Sequence, residues 1–271
     1  MKIGNREFDV NNDTYVMGIL NVTPDSFSDG GKFNNLEAAL VHTEEMIKEG
    51  ATIIDVGGES TRPGGYTLIS DEEEIGRVVP VIRAIKEKFD IPVSIDTYKS
   101  KVAKAAIAAG ADLVNDIWGL KYDKNMAKVI ADAGVACCLM HNRDNMEYTS
   151  FMDDMLADLR ETIQLAKEAG IADDKIMLDP GVGFAKSYEN NLEAIQKVGR
   201  LHELGYPVLL GTSRKSVIGL TLDTTKDERV EGTLVTTVFG VQQGCAFVRV
   251  HDVKENMRAI RMTQAICRKQ S

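Results

Sequence analysis

The stretch Met17–Gly31, MGILNVTPDSFSDGG, decides how the rest of the chain is read. An apolar run from Met17 to Leu20 stops at Asn21, and a segment rich in Pro, Ser, Asp and Gly follows that suits neither helix nor strand. A strand that ends abruptly on a polar residue and opens a loop is where α/β proteins place chemistry. The same event recurs down the chain. Apolar runs near 15–20, 52–56, 92–96, 112–115, 135–140, 175–179, 207–211 and 246–250 alternate with amphipathic stretches, which predicts eight βα units.

The stretches between the strands carry helix punctuation. Leu36, Leu40, Thr43 and Ile47 recur at helical spacing behind Asn34-Asn35, a pair able to cap, and Ser70 with Glu73 has the form of a capping box. Six of the seven helix-to-strand passages hold a glycine just before the strand, namely Gly50, Gly110, Gly134, Gly170, Gly205 and Gly244. A repeated glycine there predicts a left-handed helix end at each turn. The second helix is the exception and reaches its strand through Asp90-Ile91-Pro92. Eight such units without a linker favour one closed (β/α)8 TIM barrel domain over residues 1–271, preceded by a short hairpin with a Gly4-Asn5 turn. An open doubly wound sheet is the alternative, and its G-x-G-x-x-G fingerprint is missing after the first strand.

Bulk properties narrow the function. A length of 271 residues suits one barrel, and a formal charge of -9 argues against nucleic acid, which needs a basic face; a small anion can still bind at a local basic site. Four cysteines, Cys137, Cys138, Cys245 and Cys267, show no C-x-x-C spacing and read as buried free thiols, the adjacent pair on opposite faces of a strand. No signal peptide stands at Met1–Val10, and no apolar run approaches the roughly 20 residues that span a bilayer. The expectation is a cytoplasmic protein with no membrane partner.

If the barrel is right, the strand ends share one mouth. They supply Asn21, Asp55, Asp96, Asn115 with Asp116, His141, Asp179, Ser213-Arg214-Lys215 and Arg249-Val250-His251. Any one of these could be a turn former or helix cap, whereas a full ring in phase points to a site. His42 and His202 fall on predicted helices and read as surface residues, and no His/Cys cluster suggests zinc. Arg62, Arg214, Lys215, Arg249 and His251 form a basic set suited to a phosphate or diphosphate. Asp96, Asn115 and Asp179 could grip a planar heterocycle through an amino-substituted N–C–N edge, act as an acid/base pair, or cap helices; spacing leaves all three open. Asp179-Pro180-Gly181-Val182-Gly183-Phe184 allows backbone and ring to approach a ligand closely.

Along nearly its whole length the chain resembles the dihydropteroate synthase family. The matching motifs are GILNVTPDSFSDGG at 18–31, DVGGESTRPG at 55–64, SIDTYKSKVA at 94–103, NDIWG at 115–119, MLDPGVGFAK at 177–186, GTSRKSVIG at 211–219 and VRVHDV at 248–253. The resemblance implies condensation of 6-hydroxymethyl-7,8-dihydropterin diphosphate with 4-aminobenzoate, with release of diphosphate. A pterin-dependent methyltransferase and a catalytically silent pterin-binding relative are the alternatives.

Carried onto these positions, the resemblance implies a pterin site of Asp96, Asn115, Met140, Asp179, Phe184 and Lys215. Asn21, Thr61, Arg249 and His251 would hold the diphosphate, with Mg²⁺ on Asn21. Phe27, Arg62, Pro63, Lys215 and Ser216 would meet the aminobenzoate. Asp96, Lys215, Asp29, Arg249 and His251 would carry the catalysis, with Asp29 and Phe27 on a cover formed by the loop after Asn21. The resemblance also implies a homodimer through the late helices, for which Val230, Leu234, Val238 and Val241 offer a stripe, and inhibition by sulfonamides. The chain departs from the commonest family pattern at Val182, where a larger apolar residue is frequent, and at Ala185, often glycine.

Overall fold

Strand pairing rolls the chain into the expected (β/α)8 barrel. The computed structural model of the protein describes residues 1–23, 32–60 and 68–267, and of 32–35 the backbone alone. An antiparallel hairpin, β1 (Lys2–Ile3) and β2 (Arg6–Glu7), comes first, with Gly4 at φ +58° in its turn. Eight parallel strands follow: β3 (Tyr15–Asn21), β4 (Ile53–Gly57), β5 (Val93–Asp96), β6 (Leu113–Asp116), β7 (Ala136–Met140), β8 (Ile176–Asp179), β9 (Leu209–Leu210) and β10 (Phe247–Val250). They run β8-β7-β6-β5-β4-β3-β10-β9 around the sheet, and a parallel bridge from Leu178 to Val208 joins the two ends of that series. The strands expected from sequence agree with these to within two residues at every boundary.

Helices α1 (Lys32–Glu49), α2 (Asp71–Lys88), α3 (Ser100–Ala108), α4 (Met126–Ala133), α5 (Phe151–Glu168) and α6 (Tyr188–Gln196) each follow one strand. Two more, α7 (Ser216–Leu222) and α8 (Val230–Gln242), separate β9 from β10, and α9 (Val253–Cys267) ends the described chain. None of these helices is long and apolar enough to cross a membrane. The six pre-strand glycines all adopt positive φ, from +64° to +114°. At Gly134 the residue caps α4 in the left-handed region and returns its N–H to the Ile130 and Ala131 carbonyls. The passage without a glycine is held from outside, since Asn5 and Arg6 of the hairpin donate to the Asp90 carboxylate and carbonyl at 2.6 and 2.5 Å.

Two expected caps differ in detail. Helix α1 starts at Lys32, which puts Asn34-Asn35 inside its first turn rather than ahead of it. Ser70 caps α2 by accepting from the Glu73 N–H at 3.1 Å, but the Glu73 carboxylate turns to Arg77 at 2.5 Å, so half of the capping box forms.

The strand pleat sorts the core into two layers. Met17, Ile53, Leu113, Cys138, Met177, Leu209 and Phe247 point into the barrel, while their neighbours Val16, Ile54, Val114, Cys137, Leu178, Leu210 and Val248 point out beneath the helices. Cys137 and Cys138 therefore face opposite ways, as expected. Three of the cysteines are buried; Cys267, the last residue of α9, is exposed. Ile3 and Phe8 close the barrel floor from below, with Phe8 edge-on to Tyr15 at 4.9 Å and 5.4 Å from the Phe247 ring.

The stripe Val230, Leu234, Val238 and Val241 is half-buried, because α8 turns Thr233, Thr236, Thr237 and Gly240 onto the barrel instead. Their hydroxyls are satisfied, Thr237 by Asn256 at 2.6 Å and Thr236 by Thr212 at 2.6 Å, so burying them carries little penalty. The outward apolar residues are Val235 and Phe239. Phe8→Ala is expected to cost about 3–5 kcal/mol, since it opens a cavity under Phe247. A lowered urea midpoint would show it, whereas an unchanged one would make the hairpin a mere appendage.

Candidate active site

One step up the same pleat, the inward residues change character. Two positions beyond Met17, Ile53, Leu113, Cys138, Met177, Leu209 and Phe247 stand Ile19, Asp55, Asn115, Met140, Asp179, Gly211 and Arg249, and β5 adds Asp96. All but Asp55, which lies buried beneath Arg249, line a cavity of ≈ 330 Å³ at the C-terminal mouth, whose rim includes Asn21, Phe184, Lys215, Ser216 and His251. Gly57 leaves space there: a Cβ on it would lie 3.6 Å from Asp96 Oδ2 and 3.7 Å from Asn21 Oδ1.

Arg249 sits at the centre. Its Nε donates to Asp55 Oδ2 at 2.6 Å and its Nη2 to Asp96 Oδ2 at 2.7 Å, which leaves Nη1 for a ligand. Asn115 Nδ2 donates to Asp55 Oδ2 at 3.3 Å. Burial alone would lower the pKa of the guanidinium, yet Asp55 and Asp96 outweigh it and raise that pKa. Burial pushes Asp96 up to about 7 against the pull of Arg249, with Asp55 adding to the rise. Asp179 is raised by burial, opposed by Lys215 and by the Gly181 N–H, which it accepts at 2.6 Å. Burial lowers Lys215 to about 8 although Asp179 favours its charge. Lys215 donates to the Val182 carbonyl and lies 5.0 Å from the centre of the Phe184 ring.

Asp96 Oδ1 is buried and finds no partner among the described residues. An acceptor left dry in this way costs about 1–3 kcal/mol, which an N–H donor on a ligand would return. Ser213 Oγ accepts the His251 backbone N–H at 3.1 Å and lies 2.9 Å from Nδ1 of the same ring, which leaves Nε2 facing away from this contact. Burial, with Arg249 and Arg214 nearby, drives the His251 pKa down to about 3. The ring is neutral, neither a cation nor a base.

The structure thus brings together Asn21, Asp96, Asn115, Met140, Asp179, Phe184, Lys215, Ser216, Arg249 and His251. Phe27, Asp29, Thr61, Arg62 and Pro63 lie outside the described residues. Three strand-end groups have other work. Asp116 caps the turn after β6, accepting from the Trp118 and Leu120 N–H groups at 2.9 and 2.7 Å. Arg214 is held in a two-pronged pair by Asp252 at 2.9 and 2.5 Å. His141 is buried behind the mouth against α5, 2.9 Å from Asp158.

Sequence reasoning gave Asp55 no role although it stood in the ring, because the partner that defines it arrives 194 residues later. Glu59 and the rim cations Lys226 and Arg229 were also missed. Glu59 shares Lys99 Nζ with Glu74, at 2.6 and 2.8 Å, and accepts from the Tyr98 hydroxyl at 2.6 Å; no local motif marks such a cluster. No group of three or more His, Cys, Asp or Glu able to hold a metal occurs among the described residues.

Comparison with known proteins agrees with this geometry. Residues 17–251 match the model of a family described as pterin binding enzyme. A dihydropteroate synthase from Clostridium beijerinckii is 64% identical over 270 residues, covering 99% of this chain and 100% of its own. A dihydropteroate synthase from Clostridium difficile, crystallised in the presence of pteroic acid, superposes with a TM-score of 0.94 at 52% identity, covering 97% of this chain and 100% of that one. The Yersinia pestis dihydropteroate synthase in complex with a sulfonamide drug gives a TM-score of 0.91 at 41% identity, covering 98% of both chains.

The mouth is intolerant at Gly181, which holds φ +69° where a Cβ would fall 2.0 Å from the His141 carbonyl oxygen. Gly181→Ala is expected to destabilise the protein by about 2 kcal/mol or more and to weaken ligand binding, read by urea unfolding and a binding titration.

Proposed function

The chain belongs to the dihydropteroate synthase family, and from that premise we propose how its mouth joins 6-hydroxymethyl-7,8-dihydropterin diphosphate to 4-aminobenzoate. The observation that carries the reading is Asp96, a buried carboxylate with one oxygen on Arg249 and the other without a partner among the described residues. A pterin edge of amino group and ring N–H supplies the missing donors. Asp179 and Asn115 extend the acceptor surface, Lys215 donates from the far side, and Met140 and Phe184 pack against the ring faces.

The diphosphate end would meet Asn21, Thr61, Arg249 Nη1 and the Nε2 side of His251. A neutral donor at His251 suits this place, because it stabilises oxygens that gain charge without adding a proton that must later be lost. Mg²⁺ fits the donor set only as an ion shared with substrate: Asn21 offers one carbonyl oxygen at the end of β3, and magnesium keeps waters and phosphate oxygens for its other positions. When bound, such an ion neutralises charge on the leaving diphosphate.

The bond from the pterin methylene to diphosphate oxygen breaks as the aminobenzoate nitrogen closes on that carbon. Positive charge spreads into the pterin in a loose transition state, and Asp96 and Asp179 lie where it accumulates. The arylammonium formed is acidic, so its proton leaves without a strong base. Ser216 offers its hydroxyl and N–H to the aminobenzoate carboxylate, with Arg62, Pro63 and Phe27 completing that subsite and Asp29 facing the developing cation. A second copy would pack on the outward Val235 and Phe239 of α8 with Met262 and Ile266 of α9, all exposed. Four unpaired cysteines suit the reducing cytoplasm, where we place the enzyme.

Purified protein given the pterin diphosphate, 4-aminobenzoate and Mg²⁺ is expected to release diphosphate; retained pterin with no release would overturn the reading. Sulfonamides should compete with 4-aminobenzoate, and turnover indifferent to high drug would contradict the subsite. The pH profile of kcat/KM should be bell-shaped. Its acid limb lies near 7, where Asp96 gains a proton as pH falls, and its alkaline limb near 8, where Lys215 loses one as pH rises. Lys215→Arg should carry the alkaline limb out of range.

A further inference from the structure

Behind the pterin-facing turn runs a buried polar chain that the chemistry above does not use. Asp158 of α5 accepts from Arg143 Nε at 2.5 Å and from His141 Nε2 at 2.9 Å. His141 Nδ1 is 2.9 Å from Lys186 Nζ, and Lys186 also donates to the Phe184 carbonyl at 3.0 Å. The carboxylate fixes the histidine hydrogen on Nε2, so Nδ1 is an acceptor and the lysine ammonium fills it. Lys186 and His141 are 7% and 2% exposed. Among the described residues no carboxylate pairs with Lys186, and burial lowers its pKa to about 7 although nearby Asp179 favours its charge. An ammonium kept dry with an imidazole and a carbonyl as its partners is an expensive way to fill a core position.

What this chain supports is the segment from Gly181 to Lys186. The Val182 carbonyl takes Lys215, the Phe184 ring lies beside the same ammonium, and Gly181 donates to Asp179. Three groups assigned to the pterin thus hang on one turn. The turn is pinned elsewhere as well, at Gly183 by Asn191 at 2.6 Å and at the Ala185 carbonyl by Tyr148 at 2.8 Å. Between those pins Ala185 holds φ +46°, a left-handed conformation that an alanine leaves when it is released. Lys186 holds the carbonyl immediately before it.

We propose that Lys186, aimed by His141 and Asp158, is a positioning residue that fixes Phe184 and Lys215 for the pterin. The proposal rests on the pterin reading of the mouth and adds a group that never touches substrate. Its signature is a larger change for the pterin than for 4-aminobenzoate, since Phe184 and Asp179 are assigned to the pterin alone and only Lys215 to both.

Lys186→Met keeps the length and removes the donor. It is expected to raise KM for the pterin diphosphate about tenfold while leaving KM for 4-aminobenzoate within about twofold. Asp158→Asn, two bonds away, should shift the same constant by less, and the double variant should be no worse than Lys186→Met alone. If Lys186→Met does not fold, the same split in Asp158→Asn carries the test. Lower thermal stability with both KM values unchanged, or with both raised alike, would overturn the proposal. Wild-type turnover is measured in parallel: a wild-type chain that releases no diphosphate refutes the pterin reading, whereas a working wild type beside an unsplit variant refutes only the role of Lys186.

Discussion

The two-residue period of a parallel strand is the constraint on which this molecule depends. Because side chains alternate, the residue two places beyond a floor residue must also face inward, so Phe247 fixes Arg249, Ile53 fixes Asp55 and Met177 fixes Asp179. The apolar layer and the polar layer are one register, not two. A slip of one residue in β10 would turn Phe247 into the helix layer and carry Arg249 away from both of its carboxylates. Stability and chemistry are enforced by the same alternation, which keeps a guanidinium and several carboxylates directly above a dry floor.

Placing charge there has electrostatic consequences that organise the mouth. Asp55, fully buried, serves Arg249 and Asn115 and leaves Asp96 to face the ligand with one oxygen. Asp96 and Lys215 are shifted toward each other by burial, one up to about 7 and the other down to about 8, so both change charge close to neutrality. His251 is moved below that range altogether by its burial, with Arg249 and Arg214 adding to the effect. The site separates groups that respond to pH from one that does not.

The architecture was legible because barrels advertise themselves locally. A strand needs its apolar run, and a helix-to-strand turn needs a left-handed residue, which glycine supplies at Gly134. The passage at Asp90-Ile91-Pro92 broke that rule because the hairpin bonds to Asp90 from a distance, which no local pattern encodes. Asp116 and His141 looked like mouth residues because sequence gives the end of a strand but not the side to which a residue past it turns. Asp55 was visible yet meaningless until Arg249 stood beside it. The buried face of α8 was not legible for a related reason: threonine counts as polar in a pattern, but satisfied hydroxyls can be the buried side of a helix.

Strand β10 lies between β3 and β9, so the first and last barrel strands are neighbours. Thr14 already bonds the Cys245 carbonyl across 231 positions, and Arg249 reaches Asp55 across 194. During synthesis Arg249 cannot reach Asp55 or Asp96 until the final strand has left the ribosome and paired with β3 and β9. A chain lacking β10 carries Asp55 and Asp96 without the guanidinium that bridges them. The last strand delivers the counter-charge together with the closing hydrogen bonds, so the catalytic centre doubles as the latch of the barrel.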